Sequence, residues 1–267
     1  MTRSSATAAR LDSASGLVTT RERWPGDTLA RVDQADRGNG PCGHCDLGTL
    51  AFCDGFARRT VTSLMRVQCT LRFEAHDTLF REGDTGVAVF NVVSGAVKVY
   101  KLMPDGRRQI TGFFFRGDMF GFCLDGDYAY TAEAVTPLSV CRLPMQRLHE
   151  LSETAPEVQH RILLRMTAKL AQFHDHVLLL GRKTARERVA TFLLALSERA
   201  RRRGDPASPI PLAMGRVDIA DYVGLTVETV SRTMTAFKRE GLIDLPSPNH
   251  VAIPDTQALR AASDGSA

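Results

Sequence analysis

VDIADYVGLTVETVSRTMTAFKREGLI, residues Val217–Ile243, carries two helical patterns either side of a glycine turn. Ile219–Val223 reads as a short helix, Gly224 as the turn, and Thr226 as the N-cap of the next helix, with Glu228 in its first turn. Gly241 closes that second helix. With small Ala220 where the two helices approach, the pattern predicts a helix-turn-helix. Val230, Met234 and Phe237 share one face of the second helix, the face to be buried. Glu228, Ser231, Arg232 and Thr235 share the other. Arg can fork onto guanine O6 and N7, Glu can accept from cytosine N4, and Ser can reach a base or a phosphate. A Glu–Arg pair four residues apart is also an ordinary surface ion pair; its place near the start of a recognition helix favours DNA. Thr226, Glu228, Ser231 and Arg232 are therefore the expected DNA-contacting residues. Leu242–Leu245, a turn at Pro246–Asn249 and His250–Ile253 predict a wing.

Upstream, Leu163, Met166, Leu170, Phe173, Val177 and Leu180 are spaced 3, 4, 3, 4, 3, a heptad seam on one long helix starting near Pro156. Arg161, Arg165, Lys169 and Asp175 flank it. A helix this long exceeds what a small domain can cover, so the seam predicts a homodimer rather than packing on the chain's own core. Gly181 is expected to interrupt the helix, and Ala185–Arg199 to form another, ending in the basic run Arg199–Gly204.

From about Thr60 the period is that of short strands. Val87–Val93 and Ala96–Tyr100 are β-rich runs divided by Ser94-Gly95, which suits a tight hairpin; Pro104-Asp105-Gly106 marks a second turn. Ile110–Phe115, Thr131–Val135 and Leu138–Leu143 complete an antiparallel roll. Residues 1–40, rich in Ser, Thr, Ala, Arg and Asp, show no sustained period and are expected to be a tail with little fixed structure. The organisation is thus a tail (1–40), a cysteine-rich segment (41–59), a roll (60–153), a dimer helix (154–181) and a winged helix-turn-helix (182–267). The fold class is α+β.

Composition agrees with an ordinary globular protein. The 267 residues are 43% apolar and 24% charged, with a net charge of +4 that permits a local DNA-binding patch without demanding one. No apolar run is long enough for a membrane helix, and the N-terminus shows no apolar h-region of a secretory signal, so a cytoplasmic protein is expected. HExxH, P-loop, GxGxxG and GxSxG motifs are missing, which weakens an enzyme reading.

Cys42, Cys45 and Cys53 crowd together at x2 and x7 spacing, while Cys69, Cys123 and Cys141 stand apart. Clustered thiols in a reducing compartment point to metal. Zinc knuckles usually show two close pairs; one pair, an outlier and a remote fourth ligand suit a polynuclear iron–sulfur cluster better than a single tetrahedral ion. A thiol-redox use of the CxxC is disfavoured, because no βαβ pattern surrounds it.

Roll, long helix and winged helix-turn-helix, in that order from about Cys42 to Pro254, resemble the Crp–Fnr superfamily of bacterial transcription regulators, and "GLTVETVSR" (Gly224–Arg232) resembles its Fnr branch. "LLLGRKTARERVATFLLAL" (Leu178–Leu196) is similar to the family as well. The resemblance implies that Glu228, Ser231 and Arg232 read TTGAT-type half-sites in an inverted repeat. It also implies an oxygen-responsive 4Fe–4S cluster on Cys42, Cys45, Cys53 and a fourth cysteine on the last roll strand, where "SVCRLP" places Cys141. Cys123 falls at a non-ligand place, Cys69 reads as a small buried hydrophobe, and His44 as a surface residue. The cluster would favour pairing of the long helices, setting two recognition helices one DNA turn apart, and oxygen would loosen that arrangement. Contacts to RNA polymerase near Leu102–Arg108 and Phe115–Asp118, and activator function, follow by the same analogy. One point departs from the family: Gly215 stands where relatives often carry a Thr or Ser cap. Gly117–Val135 has four acidic residues and no Arg to pair with a cyclic-nucleotide phosphate, so cAMP is not expected. A zinc-stabilised or haem-based, nitric-oxide-responsive regulator on the same scaffold is the alternative.

Overall fold

A computed structural model of the chain describes the backbone of residues 8–11, 18–23 and 29–33, and residues 47–66, 69–123 and 126–265 in full. The chain divides into two units, Met1–Lys101 with Gly112–Met166, and Leu102–Thr111 with Thr167–Ala267.

Two sheets form the roll. Strands β1 (Ala8–Leu11), β2 (Val18–Arg23), β3 (Leu29–Asp33), β4 (Cys69–Phe73), β6 (Ala88–Ser94), β9 (Met119–Phe120) and β11 (Leu138–Pro144) make one, in the order β1-β2-β3-β4-β11-β6-β9. Strands β5 (Thr78–Phe80), β7 (Ala96–Leu102), β8 (Arg108–Phe115) and β10 (Thr131–Ala134) make the other, in the order β5-β10-β7-β8. The space between them is filled by Leu71, Phe73, Phe80, Phe90, Phe120 and Tyr128 among others, with Phe80 stacked on Tyr128 at 3.7 Å. Tyr128 hides its hydroxyl against the backbone of Ala88, as both donor and acceptor, and burial pushes its pKa up to about 12.

The seven-stranded sheet has a second core on its other face. Phe52, Leu64, Val89, Met119, Leu143, Leu148 and Val158 pack there, contributed in part by helices α1 (Arg58–Met65), α2 (Met145–Thr154) and the start of α3 (Pro156–Arg182). Alternation along β11 sends Leu138 and Val140 to the aromatic core and Leu143 to this second one.

Three expectations are corrected. The region 1–40 is not without fixed structure: β2 and β3 pair antiparallel from Thr19–Asp33 to Arg23–Leu29, and β3 joins β4 through Arg31–Arg72 and Val32–Leu71. Val18-Thr19-Thr20 is β-branched, which suits a strand, and β4 would otherwise leave backbone groups unpaired along its edge. Ser94-Gly95 is not a hairpin turn; it carries the chain from one sheet to the other. Gly95 is needed there, with φ +86° and Pro137 O only 2.3 Å from where a Cβ would stand. Gly181 does not interrupt α3, which continues to Arg182. The break is made by Thr184, which caps α4 (Ala185–Arg202) in a capping box with Glu187.

In the second unit, α5 (Arg216–Val223) and α6 (Val227–Arg239) are the helix-turn-helix, and α7 (Thr256–Ser263) closes the chain against α4. Strands β12 (Ile210–Pro211), β13 (Asp244–Ser247) and β14 (His250–Ala252) form a three-stranded sheet containing the wing. Gly215 gives α5 no side-chain cap, as its sequence implied. The basic run at the end of α4 is occupied locally: Arg201 and Arg202 bind Glu198, and Arg203 binds Asp205.

Candidate nucleic-acid interface and cysteine segment

Gly224 ends α5 in the left-handed region, φ +65°, and its missing side chain leaves room for Leu180 Cδ2, 3.0 Å from where a Cβ would be. Arg188 holds the same turn by donating to the carbonyls of Val223 and Gly224, and to that of Leu180. Thr226 Oγ1 accepts from Thr229 N at 3.2 Å, starting α6. Val230, Met234 and Phe237 are buried on one side, each worth about 1.5–3 kcal/mol in apolar burial. Thr226, Glu228, Ser231, Arg232 and Thr235 are all exposed. Glu228 is held below the usual carboxylate range, first by its own backbone N–H at the helix start and then by the Thr226 hydroxyl, so it faces solvent as an acceptor at neutral pH. Sequence reasoning missed what fixes α5 from behind. Arg108 Nη2 binds Asp218 and Asp221 at 2.9 and 2.8 Å, and Gln109 Nε2 donates to the Asp221 carbonyl at 2.7 Å.

If Arg232 reads a base, as its place on the exposed face of α6 suggests, Arg232→Ala should relax base preference at one position of each half-site, because a bidentate guanine contact is worth about 1–3 kcal/mol. Binding measured across single-base operator variants checks this; equal weakening on every sequence would make Arg232 a phosphate contact only.

Helix α3 exposes a row of large apolar side chains. Leu163, Leu170, Phe173 and Val177 are 62%, 56%, 41% and 67% exposed; Leu164 and Leu178 are exposed as well, on a different face of the helix. Met166 is half-buried. Leu180, counted in the seam, is half-buried against the helix-turn-helix instead. A flanking face of the same stretch, about a quarter turn from the row, carries His176, which stacks on the Tyr222 ring at 4.2 Å and bonds the Tyr222 carbonyl through Nε2 at 2.9 Å. Burial, assisted by Lys169, pulls the His176 pKa below its ordinary value despite that hydrogen bond. The fold therefore holds neutral His176, and its stabilisation is complete above the unfolded value of about 6.5 and lost as pH falls below it. Urea unfolding at pH 7.5 and 5.5 should show a larger acid loss in the native protein than in His176→Gln.

Cys42, Cys45 and His44 lie outside the described residues, and among the described residues no three potential ligands come together. The other cysteines separate by sheet face. Cys69 and Cys123 pack against the aromatic core of the roll, and Cys123 Sγ bonds the Gly126 carbonyl at 3.0 Å. Cys53 packs against the second core. Cys141 sits on β11 opposite Thr70 and Asn91, on the same sheet face as Leu143 and Val89, and so on Cys53's side of the sheet. Asn91 is buried there with its Oδ1 lacking a partner.

A β-roll, a long helix with an exposed apolar row and a winged helix-turn-helix with an outward Glu-Ser-Arg set define a DNA-binding transcription regulator. Residues 70–155 match the cyclic nucleotide-binding domain family, and residues 187–262 the Crp-like helix-turn-helix domain family. The chain is 38% identical over 202 residues to the nitrogen fixation regulation protein FixK of Bradyrhizobium diazoefficiens, covering 76% of this chain and 85% of FixK. It is 42% identical over 227 residues to the transcriptional activator protein Anr of Pseudomonas aeruginosa, covering 84% and 93%. The solved structure of FixK2 from Bradyrhizobium japonicum superimposes with a TM-score of 0.70 at 35% identity, over 73% of this chain and 97% of that one. The chain belongs to the Crp–Fnr family of transcription regulators, which act on DNA as dimers and are not enzymes. No helix among the described residues is long and apolar enough to cross a membrane.

Proposed function

We propose that this regulator is an oxygen-responsive activator of the Fnr type, acting in the cytoplasm. In this reading it binds inverted-repeat TTGAT-type sites as a homodimer, with a 4Fe–4S cluster held by Cys42, Cys45, Cys53 and Cys141. The observation that carries it is the sorting of thiols by sheet face: Cys53 and Cys141 share the side packed by α3, whereas Cys69 and Cys123 serve the roll core. The unpartnered buried Oδ1 of Asn91 beside Cys141 supports a further group at that place, since an amide whose O and N assignments interchange can turn its N–H₂ toward a thiolate. The cluster, when bound, supplies the oxygen-labile element.

The chain's own residues do the rest. The apolar row of α3 pairs with its copy, and Glu228, Ser231 and Arg232, started by the Thr226 cap, enter the major groove. Exposed Leu102 and Met103 in the β7–β8 turn suit a contact with RNA polymerase. Against cAMP stand the aromatic filling of the roll and the absence of any Arg from Gly117–Val135. Protein purified without oxygen should be brown, contain iron and acid-labile sulfide, and lose colour and operator affinity together in air. Colourless protein containing zinc would support the zinc-stabilised alternative and sink this reading.

A further inference from the structure

The charged residues beside the α3 seam have a use that their sequence spacing hides. Glu157, Arg161 and Arg165 stand four apart on α3 and engage the cysteine segment and the helix after it in reverse order. Glu157 Oε1 accepts from the buried Thr60 hydroxyl at 2.7 Å, Arg161 Nη2 donates to the Asp54 carbonyl at 2.5 Å, and Arg165 Nη2 donates to the Leu50 carbonyl at 3.2 Å. The two arginine contacts bracket Cys53. Arg161 also lies over the Phe56 ring at 5.6 Å, and Phe56 meets Phe52 edge-on at 5.3 Å. Leu50 itself rests on Gly117, whose Cβ would stand 2.9 Å from Leu50 Cβ. At 3.6 residues per turn the stripe 157-161-165 lies about 150° round the helix from the seam, so it leaves the pairing face open.

We infer that Arg161 and Arg165 are positioning residues that tie the docking of the Cys53 segment to pairing of the α3 helices. The inference rests on the dimer and cluster reading above. Because one helix carries both faces, a docked segment fixes the α3 face that presents Leu163 and Met166, and a paired α3 in turn favours the docked segment. That reciprocity is a thermodynamic requirement of any such coupling.

The test begins on full-length, cluster-free protein in which the other five cysteines are serine, so that only Cys53 reacts with a maleimide. Arg161→Gln/Arg165→Gln should raise the labelling rate about tenfold, the expectation for losing two hydrogen bonds that hold a local segment. Phe173→Asp, far from Cys53, should also raise it when the arginines are present and add nothing in the double variant. A purely structural role for the arginines would not produce that dependence on the seam. Lysine at both positions should restore most of the native rate. In protein with all six cysteines, the tightening of the dimer that accompanies cluster loading, read by sedimentation, should vanish in the double glutamine variant while iron and sulfide content stay native. An unchanged labelling rate, or an effect of Phe173→Asp that persists without the arginines, would overturn the coupling. The single variants serve if the double variant does not fold. Failure of the native chain to take up iron would remove the cluster reading alone, because the labelling arm needs no metal.

Discussion

Phe173→Asp should turn the dimer into a monomer in sedimentation and lower operator affinity by about 10²–10⁴-fold, the gain usually lost when two linked half-sites are bound separately. Phe173 lies at the middle of the exposed row, between Leu170 and Val177, and is itself 41% exposed in the single chain. In a paired helix its carboxylate replacement would face its own copy. Desolvating like charges without partners costs several kcal/mol per ion even after relaxation. Lys169 is a poor reference site, since its ammonium lies over the Phe173 ring at 5.7 Å. Exposed Gln172, on the far side of the helix from the seam, serves better, and Gln172→Asp should leave both measurements near native. A fully dimeric Phe173→Asp protein would mean that the two chains meet elsewhere.

The second large effect concerns the thiols. Cys42→Ser, Cys45→Ser, Cys53→Ser and Cys141→Ser should each lose iron and sulfide, whereas Cys69→Ser and Cys123→Ser should keep both. The sheet register is what separates the two sets: Cys141 lies opposite Thr70 and Asn91, while Cys69, opposite Arg142, points with Leu71 to the aromatic core. Full iron in Cys141→Ser together with loss in Cys123→Ser would reverse the assignment.

Where local period decides structure, the sequence was readable. The two faces of α6 follow from Val230, Met234 and Phe237 at helical spacing, and Gly224 can only be a turn beside Thr226. The row on α3 is legible for the same reason. What escaped depends on partners distant in the chain. Arg161 and Arg165 look like a solvated flank until Leu50 and Asp54 are folded against them, and Arg108 and Gln109 look like the end of a hairpin until Asp218 and Asp221 stand opposite. Gly95 suited a hairpin because tight turns and sheet crossings both want positive φ, and only the neighbouring Pro137 carbonyl distinguishes them. The first three strands have a weak local signature, because they extend the sheet from β4 and are held by the strand each one pairs with. In the candidate cluster site the spacing suggested ligands, but the choice among the three solitary cysteines needed the family resemblance, because alternation assigns a sheet face only when the register is known.

The Leu180–Gly224–Arg188 junction bears on operator choice. It fastens the end of α3 to the helix-turn-helix inside one unit, with the middle of the apolar row, Leu170 to Val177, in that same unit. With the row paired as proposed, the crossing angle of the two long helices becomes a ruler for the DNA. Substitutions along Leu170–Val177 that preserve pairing should then shift the preferred spacer between half-sites while leaving the preferred bases unchanged, separating how far apart the protein reads from what it reads.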